Sequence, residues 1–408
     1  MFTTTLSIQY FDGVLYYSHI RKKYKSAATK KSIETAITYI RKKGEVITME
    51  MTLRWYGSKF DTVTLEQIRQ IPGVTGVITT LYDTKPGEVW SQERIHALKE
   101  EVEAAGLHIA GIESVNVHED IKLGKPSRDQ LIANYIETLE NLGKEDIHMV
   151  CYNFMPVFDW TRTELARVLP DGSTCLAYTQ KAVDELVPEE MFESIAGDTN
   201  GCIMPGWEPD RMAHVKELFE EYKDVTADDL FDNLKYFLEK IMPVCNKYDI
   251  KMAIHPDDPA WPVFGLPRII TCKENIQRMM KMVDDPHNGV TFCAGSYGTN
   301  LKNDLPDMIR SLKGRVHFAH VRNLKFLDPN PETLNFEEAP HLSRCGSFDL
   351  YEIVKALHDI GFEGPIRPDH GRMIWGEVGM PGYGLYDRAL GACYINGLIE
   401  AIEKNDRK

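Results

Sequence analysis

Asp369 and His370 stand side by side in the stretch Gly364-Pro-Ile-Arg-Pro-Asp-His-Gly-Arg372, at the end of a short apolar run and directly before a glycine. An adjacent carboxylate and imidazole offer a metal ligand and a proton carrier from a single strand end. Three earlier apolar runs finish in a similar way. Ile250–Ile254 enters His255-Pro-Asp-Asp, Val290-Thr-Phe enters Cys293-Ala-Gly, and Val316–Ala319 enters His320-Val-Arg-Asn. His255, Cys293, His320 and Asp369 follow one another at intervals of 38, 27 and 49 residues. Each interval is about the length of one strand–helix–strand unit, so the four can sit on successive parallel strands.

Taken singly, each of these residues has an ordinary reading. A buried Cys is most often a small hydrophobe, a lone His is usually a core or surface residue, and an Asp after Pro makes turns. Four of them at four successive strand ends point instead to a shared divalent-ion site. Imidazole, thiolate and carboxylate together accept zinc, iron or manganese, and the donor set alone does not choose among them.

Further polar residues gather at or just beyond the predicted strand ends: Arg54, His118, Asn153, Arg268, Arg322, Asn323 and Arg372. Arg meets a carboxylate with two parallel hydrogen bonds, so the set suggests a polyhydroxylated anion as substrate. About half of such residues are expected to be ordinary solvated or capping side chains. The glycine-rich loop Met373–Tyr386 carries Trp375 and Tyr383; it can close over the site and deliver the Tyr383 hydroxyl, or be a plain long loop.

The elements that must position these residues begin at Met51. Apolar, β-branched runs predict strands at Thr52–Tyr56, Val74–Leu81, Leu107–Val117, Ile147–Phe154, Ile250–His255, Val290–Cys293, Arg315–His320 and Ile366–Asp369. Helical sequence lies between them. Ser91 is placed to cap a helix that Gly106 stops, and Ser127 one that Gly143 stops. Further helices are predicted at Gln180–Phe192, Ala227–Lys247, Glu274–Val283, Asp304–Leu312, Ser347–Ile360 and Tyr386–Ile402. Eight strands each followed by a helix predict a (β/α)8 TIM barrel. A long insertion, residues 155–226, follows strand four on the face where reacting residues collect. A doubly wound open sheet is the alternative, but it calls for a glycine-rich phosphate loop after strand one, and Tyr56-Gly57-Ser58-Lys59 is too sparse.

Composition bounds the function classes. The 408 residues carry a formal net charge of −14, with 43% hydrophobic and 26% charged residues. That balance suits a globular enzyme and argues against a general nucleic-acid or anionic-membrane binder. The eight Cys form no CxxC pair and read as reduced thiols of a cytoplasmic protein. No apolar run is long enough to span a membrane. Residues 1–48 differ from the rest: nine Lys/Arg against three Asp/Glu give +6, which leaves −20 for the remainder. This basic N-terminal extension falls outside the strand–helix pattern. It reads as an acid-binding arm, an amphipathic presequence, or a start site set too early; the last is favoured, with residues 49–408 forming the barrel.

The runs MTLRWYG (51–57), ESVNVHEDIKLG (113–124), NFMPVFDWTRT (153–163), IHPDDPAWPVFGLPRI (254–269), RPDHGRMIWGE (367–377) and GYGLYDRALGA (382–392) closely resemble the mannonate dehydratase family of glucuronate degradation. That family belongs to the xylose-isomerase-like barrel superfamily. The resemblance implies dehydration of D-mannonate to 2-dehydro-3-deoxy-D-gluconate with Mn²⁺ or Fe²⁺. It puts His255, Cys293, His320 and Asp369 on the metal ligands, and His370 and Tyr383 on the acid–base residues. The expected partner is a small sugar acid, not nucleic acid or membrane, with assembly into a homo-oligomer left open. Rival readings are an aldose–ketose isomerase or epimerase on the same barrel, which Cys293 and the RPDHGR run disfavour, and a nucleic-acid binder acting through the basic arm.

Overall fold

The computed structural model describes residues 49–185, 196–202, 204, 214–328 and 335–406. The basic extension 1–48 and the predicted helix beyond Glu185 lie outside the described residues.

Eight parallel strands close into a barrel: β1 (Glu50–Arg54), β2 (Gly76–Thr79), β3 (His108–Glu113), β4 (Met149–Tyr152), β7 (Lys251–Ile254), β8 (Asn288–Cys293), β9 (Val316–His320) and β12 (Pro365–Arg367). The ring is sealed where Met51 of β1 pairs with Ile366 of β12. Side chains alternate across each strand. Val77, Val150, Met252 and Ile254 face the surrounding helices. Ile78, Met149, Cys151, Ala253 and Phe318 form a separate small cluster that fills the barrel interior. This inner plug is the floor on which the strand-end residues stand.

The helices begin and end largely on the expected chemistry. Ser91 Oγ accepts from Arg94 N to start Gln92–Ala104, and Gly106 follows at φ +78°, the left-handed region that favours glycine. Thr226 and Asp229 form a reciprocal capping box at the start of Ala227–Tyr248. Two capping expectations are corrected. Ser127 precedes the helix Arg128–Lys144 but makes no cap bond; its hydroxyl donates to Asp120 instead. Gly143 lies inside that helix rather than after it, because a Cβ there would overlap the Tyr248 side chain.

The long insertion after β4 holds more than the expected helix. It contains the hairpin β5 (Glu164–Val168) and β6 (Thr174–Tyr178). A second insertion, after β9, supplies β10 (Asn323–Phe326) and β11 (Phe336–Ala339). The two join into one antiparallel sheet in the order β10-β11-β6-β5, with Phe336 opposite Tyr178. Those two rings stack at 5.3 Å. No helix among the described residues is long and apolar enough to cross a membrane.

Candidate active site

The barrel brings the four strand-end donors together. One ligand atom each from His255, Cys293 and His320 lies within 4.8 Å of the others. Asp369 closes the group, with its Oδ2 3.6 Å from Cys293 Sγ and its Oδ1 3.5 Å from His320 Nδ1. Asp369 sits at φ +72°, a backbone region costly for a non-glycine residue and tolerated where the surroundings hold it. The strain sits directly after β12, where the chain turns the carboxylate into the group.

Each donor is prepared. His255 Nδ1 donates to the Pro256 carbonyl at 2.8 Å, which leaves Nε2 as the ring's free lone pair. His320 is fully buried, and neither ring nitrogen has a hydrogen-bond partner. A buried imidazole left in that state is costly and is what a metal ligand looks like without its ion. Burial lowers both imidazoles from their usual pKa, so they are neutral and able to coordinate. Burial would raise the Asp369 carboxyl, but the charged groups around it, among them Arg367 at 2.7 Å and Arg322 at 3.2 Å, outweigh it and hold the group well below the usual carboxylate range. Burial pushes the free Cys293 thiol up to about 12. Ser296 points both its N–H (3.4 Å) and its hydroxyl (3.1 Å) at the sulfur, which favours the thiolate a metal would require. The donor set therefore fits a divalent transition ion.

His370 follows Asp369 and faces the same space. Its Nε2 lies 3.2 Å from Tyr383 Oη. A bridge between Gly371 and Tyr383, with Gly371 N donating to Gly382 O at 2.7 Å, folds the glycine-rich loop back onto the strand end and seats the tyrosine. Burial, then Asp369, pushes the Tyr383 phenol up to about 12. It is a protonated donor at neutral pH.

Charged residues absent from the expected set surround this group. Arg367 bridges Glu113 (2.9 Å) and Asp369 (2.7 Å). Arg54 pairs with Glu113 at 3.2 Å. Asp258 takes Arg162 through both oxygens (2.8 and 3.2 Å) and Arg322 at 2.6 Å. Arg162 and His370 both reach Glu338 Oε1, at 3.0 and 2.7 Å. Gly295 makes room for Arg322, since a Cβ there would overlap its Nε. Glu113, Arg367 and Asp258 stand at or just past barrel strand ends, so the rule that found the donors could have found them. Glu338 stands on β11, outside the barrel, and nothing in its local sequence marks it.

Arg54, Asn153 and Arg322 line a small cavity of about 70 Å³ together with the donors His255 and Asp369 and with Asp159, Trp160, His370 and Tyr383. His118 lines a neighbouring cavity of about 750 Å³ that shares Arg54, Ser114 and Asp159 with the first. The other three expected substrate contacts lie away from the small cavity's wall. Arg268 is buried behind it, 3.7 Å from Asp257 and donating to Phe158 O. Asn323 opens β10 and accepts from Phe348 N at 3.1 Å. Arg372 is held by Asp387 through two bonds of 3.0 and 3.1 Å.

Comparison with known proteins gives the family. Residues 49–408 match the family described as D-mannonate dehydratase (UxuA). The chain belongs to the D-mannonate dehydratase family. It is 65% identical to the mannonate dehydratase of Brachyspira hyodysenteriae, over 87% of this chain and 99% of that protein. It is 58% identical to that of Thermotoga maritima, over 88% and 99%. The crystal structure of mannonate dehydratase from Streptococcus suis serotype 2 superposes with a TM-score of 0.79 at 45% identity, covering 88% of this chain and 97% of that one. A xylose isomerase domain protein from Planctomyces limnophilus shares the fold alone, at 12% identity and a TM-score of 0.50.

Proposed function

We propose that this chain is a hydro-lyase that removes water from D-mannonate to give 2-dehydro-3-deoxy-D-gluconate, in hexuronate breakdown in the cytoplasm. The observation that carries the reading is the juxtaposition of the His255, Cys293 and His320 donors and Asp369 with a hydrogen-bonded His370–Tyr383 pair at one end of the barrel. His255, Cys293, His320 and Asp369 would hold the divalent ion. Mn²⁺ or Fe²⁺ suits a set that includes a thiolate, whereas Mg²⁺ prefers hard oxygen ligands. When bound, such an ion supplies Lewis-acid stabilisation of the charge that develops beside the substrate carboxylate.

The remaining chemistry falls to the chain's own groups. The proton on C2 is weakly acidic because it neighbours the carboxylate. Its removal, with loss of the C3 hydroxyl as water, gives an enol that becomes the 2-keto acid. Arg54, Arg322 and Arg367 on the cavity wall orient the acid and oppose its negative charge. The Tyr383 phenol, held protonated, donates to the oxygen leaving C3. That leaves His370 Nε2 to accept the C2 proton. Asn153 offers amide contacts to substrate hydroxyls. His118 lines the wider cavity beside the small one.

The test is a turnover assay on metal-loaded protein, run with the full chain and with a chain starting at Met49. The reading expects a 2-keto acid from D-mannonate, at equal rates for both. Recovery of an epimer or an isomer without loss of water would replace it with the isomerase reading. Activity confined to the full chain would assign residues 1–48 to the catalytic unit.

A further inference from the structure

The rim of the barrel does not by itself decide which nitrogen of His370 faces the reaction. Its Nδ1 lies 2.7 Å from Glu338 Oε1, and Arg322 Nη1 lies 2.9 Å from that nitrogen and 3.4 Å from Nε2. The two neighbours make opposite demands. A carboxylate only accepts, so it requires a proton on Nδ1; a guanidinium only donates, so it requires a lone pair there. Which demand prevails decides whether Nε2, the nitrogen beside Tyr383, arrives with a lone pair or with a proton.

Two observations decide for Glu338. Burial alone would raise its carboxyl, but its cationic neighbours, with Arg162 Nη2 at 3.0 Å and Arg322 Nη1 at 3.7 Å, hold it below the usual carboxylate value. It is therefore an acceptor. Arg322 has other acceptors: Asp258 Oδ2 at 2.6 Å and, for the same Nη1, Asp369 Oδ2 at 3.2 Å. Glu338 is nearly inaccessible to water, so no solvent molecule competes for the His370 proton. Glu338 is in turn held by Arg162 at 3.0 Å, and Arg162 by both oxygens of Asp258.

We infer that Glu338, carried by the added sheet and not by the barrel, is a positioning residue that keeps the proton of His370 on Nδ1 and presents the Nε2 lone pair to the substrate. The inference rests on the dehydratase reading and deepens it. It assigns the two insertions a chemical task, since β11 carries the carboxylate and the segment leading into β5 carries Arg162.

The experiment compares Glu338→Ala and Glu338→Gln with the parent chain. Gln keeps a carbonyl that can accept from Nδ1–H; Ala keeps nothing. Turnover by Glu338→Ala is expected to fall roughly 10²-fold in kcat, the lower end of the worth of one positioned base. Glu338→Gln should recover part of it, with KM and metal content near those of the parent in both. Nitrogen NMR of the imidazoles, in protein loaded with diamagnetic Zn²⁺, should show the Nδ1-protonated form of His370 in the parent and the Gln variant and its loss in the Ala variant. The His370 signal is assigned by its absence in His370→Asn. A Glu338→Ala chain within about threefold of the parent in kcat, or with its His370 tautomer unchanged, overturns the inference. So does a fall shared equally by Ala and Gln that tracks lost metal, which marks a structural role. If the parent yields no 2-keto acid from D-mannonate, the dehydratase reading fails, and the imidazole spectra still decide for or against Glu338.

Discussion

The strand ends of the barrel and the sheet laid beside them treat polar groups in opposite ways. At the rim, the donors converge with their valences open: both nitrogens of His320 lack hydrogen-bond partners, and the Nδ1 bond of His255 leaves its Nε2 lone pair free. Between the β7 strand end and the sheet, Arg162, Asp258, Arg322 and Glu338 are already joined to one another through contacts of 2.6–3.2 Å, apart from the longer 3.7 Å approach of Arg322 to Glu338. A set of donors that lacks partners is completed by something from outside. A set whose charges are already paired is chiefly structural, although Arg322 within it also lines the cavity. The difference separates groups that meet substrate or ion from groups that hold those in place.

The largest expected effect falls on the rim. His370→Asn and Tyr383→Phe should each lower turnover by roughly 10²–10⁴, with metal content unchanged by elemental analysis. A variant that empties the metal site would move its residue from proton transfer to coordination. The closed set should answer in stability. Asp258→Ala strips Arg162 and Arg322 of their shared partner inside the protein, which costs about 3–5 kcal/mol for a broken buried pair. Denaturant unfolding measures it, and a loss below about 1 kcal/mol, the level of a surface pair, would show that the network is not closed.

How much of this was legible in the sequence follows the same division. Strand–helix alternation from Met51 announced the barrel, because each strand is buried on both faces and reads as an apolar run. The donors were legible because a barrel collects its strand ends on one face. Glu338 was not, because its place depends on β6 and β11, two short strands some 160 residues apart in sequence; no local pattern records that pairing. Gly143 looked like a helix stop because sequence shows the missing side chain but not the Tyr248 that needs the space. Arg372 carries the right charge for a substrate contact, and the sequence does not show that Asp387 has taken it.

Two smaller effects sharpen the comparison. Cys293→Ser replaces an anionic sulfur with a neutral hydroxyl, so affinity for Mn²⁺ should drop by at least the roughly 10–100-fold typical of losing an outer partner of a metal ligand. Titration with a competing chelator measures this, and unchanged affinity would reduce the centre to His255, His320 and Asp369. Arg372→Gln should leave kcat and KM within about twofold of the parent and cost about 1 kcal/mol through the half-buried Asp387 pair. A rise in KM alone would return Arg372 to the substrate.

The joint sheet also constrains how this enzyme can be trimmed or inherited. Each insertion contributes two strands, so neither is a self-sufficient module. Deleting the β5–β6 hairpin would bare the edge of β11 along its row of N–H and C=O groups, a template for pairing with another chain. A shortened chain that keeps only the second insertion would carry that bared edge.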